Sequence, residues 1–289
     1  MNDKKNKSGD TAFGAAAVRL IEQYEPEEQR LFNDPVVYHL TNPFLRFILK
    51  SRTMRNYFIH LSDKIIPGII GGQICRTKFI DNKTLSVLKD VEQILILGAG
   101  LDTRAYRLKG IAQKIVYEID LPSVQQYKKQ KLVKYLGELP ASVNYIPIDF
   151  NTTKTETVLN NSSFDFNKRT LVIFEAVTQY ITADAVDEVF KFISKLSNNS
   201  YLLFTYILRD VIERKTEEAK KLMDWSEKKH CPFLFGINPS ETVSFLQNYN
   251  LEIVEDVGTE FYQEKYLKPV NRDIIILEGE RTNFSRITR

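Results

Sequence analysis

The stretch Ile94–Arg104, which reads ILILGAGLDTR, decides the fold of this chain. An apolar run leads into a turn with two glycines, and a helix-forming segment follows. Glycine lets the backbone approach a ligand closely, and the first turn of the next helix presents free N–H groups to it. This order predicts the nucleotide-binding unit of an α/β sheet. Thr103 stands where the dinucleotide fingerprint has its third glycine, which disfavours NAD.

Short apolar runs before and after this stretch predict the rest of the sheet. Amphipathic segments lie between most of these runs, as expected where helices cover both faces of a parallel sheet. The fold class is therefore predicted as α/β, with a Rossmann-like, mostly parallel sheet of seven strands. The predicted strands are residues 93–97, 114–119, 143–148, 171–174, 201–206, 251–257 and 273–278.

One domain is predicted, because neither a repeat nor a Pro/Gly/Ser-rich linker divides the chain. Helices with apolar residues at helical spacing precede the sheet, and a charged, helix-prone insertion that could cover a pocket follows the fifth strand. The predicted parts are a disordered tail (1–10), N-terminal helices (11–90), a cofactor-binding core (91–206), a helical insertion or lid (207–236), and the last helix with two strands (237–289).

Composition excludes several classes of protein. The 40 basic and 37 acidic residues nearly cancel, which argues against a nucleic-acid partner. Two cysteines are too few for a disulfide framework, and no spacing typical of a metal site is present. Apolar stretches are all shorter than a membrane span needs. We therefore expect a cytoplasmic protein without a metal, nucleic-acid or membrane partner.

Acidic residues follow three consecutive predicted strands. Glu118 and Asp120 close the second strand, Asp149 follows the third beside Phe150, and Glu175 follows the fourth. Ligands of open α/β sheets bind outside the carboxyl ends of the strands, and an acid about 20 residues after the glycine turn hydrogen-bonds a ribose. These residues together predict a nucleotide site.

Two acids also have a purely structural interpretation. Asp102 is placed to cap the helix after the glycine turn, and Asp149 is placed to close a turn. Taken one at a time, each residue is as consistent with structure as with ligand binding. The ligand interpretation is favoured because acids or a glycine turn follow four strands at the same edge.

The same residues resemble the leucine carboxyl methyltransferase family of class I S-adenosylmethionine-dependent methyltransferases, which includes bacterial O-methyltransferases of polyketide metabolism. The stretch LGAGLDTRAYRL at 97–108 is close to the family signature, and it is far more specific than two glycines. Further similarity lies in 76–81, 117–122 and 175–181. The resemblance covers about residues 75–210.

The resemblance implies roles around the methionine part of S-adenosylmethionine. Arg76 would grip the methionine carboxylate, and Gly98 and Gly100 would pass beneath the methionine and the ribose. Glu175 would line the site near the methionine amino group.

It likewise implies that Asp120 holds the ribose, while Asp149 and Phe150 flank the adenine. Together with the acids at the strand ends, it gives the predicted cofactor-binding set. This set is Arg76, Gly98, Ala99, Gly100, Asp102, Glu118, Asp120, Leu121, Asp149, Phe150 and Glu175.

The acceptor side is predicted less sharply. Tyr180 and Tyr206 are the candidates for contacting the acceptor, with Tyr180 as the candidate catalytic residue and core packing as the favoured interpretation for Tyr206. Arg209 is either an anchor for an acidic acceptor or a solvated residue. Departures from the family pattern at Asn82, Ala176 and Gln179 are expected to lie toward the acceptor. The three histidines, His39, His60 and His230, are expected to be structural or on the surface.

The predicted function is O-methylation of a carboxylate or hydroxyl of a small metabolite. Three alternatives remain at this stage. They are carboxyl methylation of a protein C-terminus, a nucleotide-dependent oxidoreductase with the same strand–turn–helix unit, and a non-catalytic module that binds S-adenosylmethionine.

Overall fold

The computed structural model describes the backbone of residues 4–288 and the side chains of residues 11–288. Its centre is a seven-stranded sheet in the order β3-β2-β1-β4-β5-β7-β6. Strands β1 to β5 are parallel, and β7 runs antiparallel to both of its neighbours. The predicted sheet is confirmed. The strands are β1 (Gln93–Leu97), β2 (Ile115–Asp120), β3 (Val143–Pro147), β4 (Thr170–Phe174), β5 (Tyr201–Ile207), β6 (Leu251–Val257) and β7 (Glu280–Ile287).

The seventh strand is not where the sequence predicts it. Residues 273–278 were expected as a strand because they are apolar, but they form an extended segment outside the sheet. This segment packs on glycines at the start of a helix. An added Cβ at Gly71 would lie 2.1 Å from the Ile275 carbonyl oxygen, and the Leu277 amide donates to the Gly68 carbonyl at 2.9 Å. The backbone of this segment therefore packs closely on the start of the helix, and of its apolar side chains only Ile276 is buried.

The strand itself, Glu280–Ile287, is more polar than its burial suggests. Its buried polar side chains are hydrogen-bonded: Asn283 donates to Asp256 at 2.9 Å, and Tyr262 donates to Thr282 at 2.7 Å. A buried polar group costs little when its hydrogen bonds are made. Apolar periodicity could not have located this strand.

Helices cover both faces of the sheet, and several precede it. Alternate residues of β1 divide between two hydrophobic cores: Ile94 and Ile96 face one, and Leu95 and Leu97 face the other. The helices are α1 (Lys4–Gln23), α2 (Pro35–Leu40), α3 (Pro43–Lys50), α4 (Arg52–Ile65), α5 (Ile69–Val87), α6 (Arg104–Arg107), α7 (Pro122–Leu136), α8 (Thr155–Asn160), α9 (Ala183–Ile193), α10 (Arg209–Ile212), α11 (Glu217–Lys228), α12 (Pro239–Gln247) and α13 (Thr259–Tyr262).

The predicted insertion, 207–236, contains α10 and α11. A third, smaller apolar cluster joins it to the N-terminal helices, with Ile66 on one side and Leu222, Met223 and Phe233 on the other. The insertion and the N-terminal helices therefore meet above the sheet.

The first helix begins close to the start of the chain. Of the predicted tail, residues 1–3 lie outside the described residues, and α1 is described from Lys4, within the predicted tail. Among the described residues, no helix combines the length and the apolar character that crossing a bilayer requires.

Candidate active site

A cavity of about 1150 Å³ lies at the carboxyl ends of β1, β2 and β4 and beside the loop after β3. Helices α1 and α4 and the segment 229–234 after α11 also line it. The sequence predicted this edge of the sheet. Ten of the eleven predicted cofactor-binding residues line the cavity: Arg76, Gly98, Ala99, Gly100, Asp102, Asp120, Leu121, Asp149, Phe150 and Glu175.

Glu118 is the exception, and the structure corrects this prediction. Its carboxylate pairs with the Lys128 ammonium at 2.7 Å and accepts a hydrogen bond from the Tyr106 hydroxyl at 3.0 Å. Burial raises the pKa of Glu118, although the charge of Lys128 opposes that shift. Glu118 and Asp120 do share a strand face, but α7 covers the earlier position. Only Asp120, at the strand end, reaches the cavity.

The glycine turn places backbone directly against the cavity. Gly98 and Gly100 have φ values of 68° and 44°, in the left-handed region that favours glycine. A Cβ at Gly98 would lie 2.2 Å from Cγ2 of Val177, so no side chain fits there. The Gly100 amide donates to Asp120 Oδ2 at 2.5 Å, which fixes the carboxylate beside the turn. Asp120 is therefore held with its carboxylate facing the cavity.

Arg104, the first residue of α6, joins the glycine turn to two other elements through buried ion pairs. It binds Asp81 of α5 at 2.8 Å, Asp102 of the turn at 2.6 Å and Glu175 after β4 at 2.6 Å. Its side chain is only 3% exposed. One guanidinium group thus fixes three carboxylates beneath the cavity.

Arg76 of α5 forms a second centre of the same network. It binds Glu175 at 2.8 Å and Glu280 of β7 at 2.7 Å. Burial disfavours the charged guanidinium, but the two carboxylates outweigh it and raise the pKa of Arg76. Arg76 is therefore a permanent cation on the cavity wall.

The arginines keep the carboxylates ionised. Burial opposes ionisation of Asp102, but Arg104 and Lys128 outweigh it and lower its pKa to about 2. Burial also opposes ionisation of Glu175. Arg104 and Arg76 outweigh it, so the pKa of Glu175 is lowered. Both side chains bear a negative charge at neutral pH.

Among the residues whose side chains the structure describes, the connected ion pairs of this network contain one more negative than positive group. Arg107 links Asp81 to Asp34, and Arg19 also pairs with Asp34. The members are the cations Arg19, Arg76, Arg104 and Arg107 and the carboxylates Asp34, Asp81, Asp102, Glu175 and Glu280. An excess carboxylate in a low-dielectric wall favours a cationic ligand.

The opposite part of the cavity is apolar. Helix α4 and the insertion face each other across it, and the side chains there are mostly apolar, with Lys229 and His230 as the basic exceptions. The apolar side chains include Phe58, Ile65, Ile69, Leu222, Trp225 and Phe233. This half suits the body of an apolar molecule.

Tyr180 lies on the cavity wall between the two halves. Its ring packs edge-on against Phe233, with 5.4 Å between the ring centroids. Burial, and secondly the charge of Glu280, raise the pKa of Tyr180, so its hydroxyl stays protonated. It can donate a hydrogen bond to a ligand, but it is unsuited to act as a base.

A family model described as "Leucine carboxyl methyltransferase" matches residues 12–194, more than half of the chain. The chain belongs to the leucine carboxyl methyltransferase family.

Two relatives illustrate the similarity of this chain to other proteins. One protein of Mycolicibacterium vanbaalenii is 28% identical over 225 residues, which are 76% of this chain and 73% of that protein. One of Mycobacterium tuberculosis is 27% identical over 229 residues, 76% of this chain and 71% of that one. Both are named "Putative S-adenosyl-L-methionine-dependent methyltransferase".

Solved structures share the fold. One is the crystal structure of a "putative methyltransferase" from Thermobifida fusca. It has a TM-score of 0.60 at 17% identity and covers 83% of this chain and 90% of that one. A DUF574 family protein from Streptomyces avermitilis has a TM-score of 0.60 at 15% identity, covering 93% of this chain and 100% of that one. At these identities the likeness concerns the fold alone.

Two of the departures from the family pattern, Ala176 and Gln179, line the cavity. Ala176 has a φ of 55°, in the left-handed region where glycine is unstrained, and its amide donates to Thr205 Oγ1 at 2.8 Å. Gln179 is 3% exposed, and its Oε1 has no hydrogen-bond partner among the described residues. Its backbone carbonyl accepts from the Leu234 amide at 2.7 Å, which ties the insertion to the site.

The third departure, Asn82, is not on the acceptor side, and that expectation is wrong. Its side chain donates to the Tyr266 hydroxyl at 3.3 Å, and it does not line the cavity. Residue 82 follows Asp81 on α5, so it points away from the network that Asp81 joins. Sequence proximity to the motif did not indicate this change of face.

The other residues considered for the acceptor side lie in three different environments. Tyr206 is buried in the core and donates to Asp256 at 3.0 Å, which confirms core packing. Arg209 is exposed, pairs with Glu241 at 2.6 Å and does not line the cavity, so it is not an anchor there. His230, expected to be structural or on the surface, is exposed but also lines the cavity.

Proposed function

We propose that this chain transfers the methyl group of S-adenosylmethionine to an oxygen of a small acceptor with a largely apolar body. Membership of the family makes it an S-adenosylmethionine-dependent methyltransferase; the acceptor class is the proposal. It is supported chiefly by the division of one cavity into a charged half at the glycine turn and an apolar half under the insertion.

The charged half fits the cofactor. Asp120 would accept hydrogen bonds from the ribose hydroxyls, and the Gly98–Gly100 backbone leaves room that a side chain would fill. The methionine part of the cofactor carries an ammonium, a carboxylate and a sulfonium, so it has a net positive charge. The extra carboxylate of the ion-pair network complements that charge.

The volume supports a second molecule in the same cavity. Sites that bury one drug-sized ligand measure about 300–1000 Å³, and this one is about 1150 Å³. The space beyond the charged half is bounded by α4 and the insertion. A small acceptor is favoured over a protein C-terminus, because these helical additions cover the apolar half.

Bound S-adenosylmethionine supplies an activated methyl carbon, so the residues of this chain align the acceptor and exclude water. Tyr180 would orient the accepting oxygen by donating a hydrogen bond to it. A carboxylate acceptor needs no base, since it is already ionised at neutral pH. For a hydroxyl acceptor, the exposed His230 is a cavity residue that could take the proton.

A labelled-methyl assay tests the acceptor class. The chain is incubated with methyl-labelled S-adenosylmethionine and either apolar carboxylic acids, apolar phenols, or a peptide with a free C-terminal leucine. We expect label in one of the small-molecule sets. Alkaline release of methanol identifies an ester and hence a carboxylate acceptor, whereas an ether keeps its label. Labelling of the peptide alone would overturn the small-acceptor proposal.

Tyr180→Phe separates orientation from base catalysis in the same assay. Loss of one hydrogen bond to the acceptor is expected to lower turnover by about tenfold, with an unchanged dependence of turnover on pH. Tyr201→Phe, on β5 outside the cavity, is the matched control. Unchanged turnover of Tyr180→Phe would remove this residue from the mechanism.

A further inference from the structure

Helices α3 and α4 expose a cluster of large apolar side chains next to the cavity. Phe44 and Phe47 on α3 are 71% and 78% exposed, and Tyr57 on α4 is 62% exposed. Met54, Leu61 and Ile65 continue the α4 stripe at spacings of three and four residues, so they share one helix face. We call these six side chains the α3–α4 patch.

The α3–α4 patch is surrounded by basic residues. Residues 35–62 contain no Asp or Glu, although the whole chain has nearly as many acids as bases. Lys50, Arg52 and Lys64 are exposed on the two helices. Asp63, at the end of this region, is half-buried and accepts from the Gly68 amide at 3.0 Å. The exposed charge of α3 and α4 is therefore positive.

The patch is continuous with the apolar half of the cavity. Ile65 is exposed and also lines the cavity, as do Phe58 and Ser62 of the same helix and Ile66, which directly follows it. One side of α4 thus faces the cavity, while the adjacent side carries the patch. The patch therefore borders the apolar half of the cavity.

We propose that the α3–α4 patch docks the protein on the surface of an anionic lipid bilayer. Aromatic and aliphatic side chains enter the headgroup boundary, and the basic residues contact the anionic headgroups. A second copy of this chain fits the patch less well, because a twofold contact would place the same uncompensated basic residues against each other. Docking of this kind needs no spanning helix, so it departs from the expectation of no membrane partner, which rested on the absence of a span.

Vesicle co-sedimentation of the full chain tests the proposal without any activity measurement. We expect binding to vesicles of phosphatidylcholine with about one third phosphatidylglycerol, weak binding to phosphatidylcholine alone, and a loss of binding as salt is raised. Its outcome is independent of methyl transfer, so failure here and failure of the proposed function are distinguishable.

Two variants identify the surface. The double variant Phe44→Ser/Phe47→Ser is expected to weaken binding to anionic vesicles by at least about tenfold, because two large apolar side chains no longer enter the lipid. Lys50→Glu/Arg52→Glu should remove the preference for anionic vesicles. The control Leu85→Ser/Val243→Ser changes two exposed apolar side chains on other helices and should bind like the parent chain.

Three results would overturn the proposal. They are no binding to anionic vesicles, unchanged binding of Phe44→Ser/Phe47→Ser, and equal weakening by the control. Light scattering of the parent chain supplies a fourth: a dimer that the Phe44→Ser/Phe47→Ser variant abolishes would assign the patch to contacts between copies instead.

Discussion

The two halves of the cavity are built by opposite means. Beneath the charged half, Arg104 and Arg76 bind carboxylates from α5, the glycine turn, the segment after β4, and β7. Each arginine is almost fully buried. The apolar half is lined mostly by uncharged side chains, and its outer neighbours Phe44 and Phe47 are mostly in solvent. Buried ion pairs depend on every partner, whereas apolar walls tolerate substitution of similar volume. Substitutions in the charged half should therefore destabilise the protein more than substitutions in the apolar half.

The largest expected effect follows from removal of Arg104. Arg104→Met leaves the carboxylates of Asp81, Asp102 and Glu175 without their shared cation, which should lower the free energy of unfolding by about 3–5 kcal/mol. Urea denaturation measures this change. The control is Arg209→Met, since that arginine belongs to an exposed ion pair with Glu241 and its loss should cost less than about 1 kcal/mol. Similar losses for the two variants would contradict the fragility that we assign to the buried ion pairs of the charged half.

A dependence on pH should come from Asp102. Its pKa in the folded chain is about 2, below the ordinary value of 3.8. A depressed folded pKa contributes stability above the unfolded pKa, and this contribution is lost as pH falls through the folded pKa. The free energy of unfolding should therefore fall by about 2 kcal/mol between pH 4 and pH 2 through this group.

Urea titrations at several pH values test this effect on the parent chain and on Asp102→Asn. The variant cannot take up that proton, so its stability should decline less steeply in the same interval. Parallel declines in the two proteins would show that Asp102 does not carry this dependence.

The smallest expected effect concerns Ala176, where the family usually has glycine. Ala176→Gly removes a Cβ from a left-handed residue, and after the entropic cost of glycine it should stabilise the fold by about 0.5–1 kcal/mol. Asn199→Gly, at a φ of 61°, is the control, because asparagine tolerates this region and less should be gained. If Ala176→Gly instead lowers the melting temperature, contacts of the Ala176 methyl group stabilise the fold by more than the strain of its left-handed backbone destabilises it.

The residues of the charged half could be predicted from the sequence because local rules govern them. The GAG turn needs positive φ, and the acids follow parallel strands whose carboxyl ends share one edge, so Gly98, Asp120 and Asp149 could be placed without coordinates. Glu118 failed because the burial of its side chain under α7, beside Lys128, depends on helix packing. The ion pairs of Arg76 with Glu280 also could not be found, since more than 200 residues separate the partners.

The apolar half was harder to predict because it also depends on contacts between distant parts of the chain. Which side of α4 faces the insertion is set by tertiary packing, and Ile65 looks like any other apolar residue of an amphipathic helix. Strand β7 was misplaced because hydrogen bonds of Thr282 and Asn283, and not apolar periodicity, allow its burial. The Oε1 of Gln179, which has no hydrogen-bond partner within the described part of the chain, is likewise visible only in the folded chain.

Calorimetric titration of the chain with S-adenosylmethionine and with NAD, repeated on Asp120→Ala, tests most directly that this cavity is the cofactor site. Asp187→Ala, which removes an exposed carboxylate on α9, is the control. We expect binding of S-adenosylmethionine alone, weakened about 10- to 100-fold in Asp120→Ala through loss of charge-assisted hydrogen bonds, and unchanged in the control. Equal affinity of Asp120→Ala and the parent chain, or binding of NAD alone, would contradict this assignment.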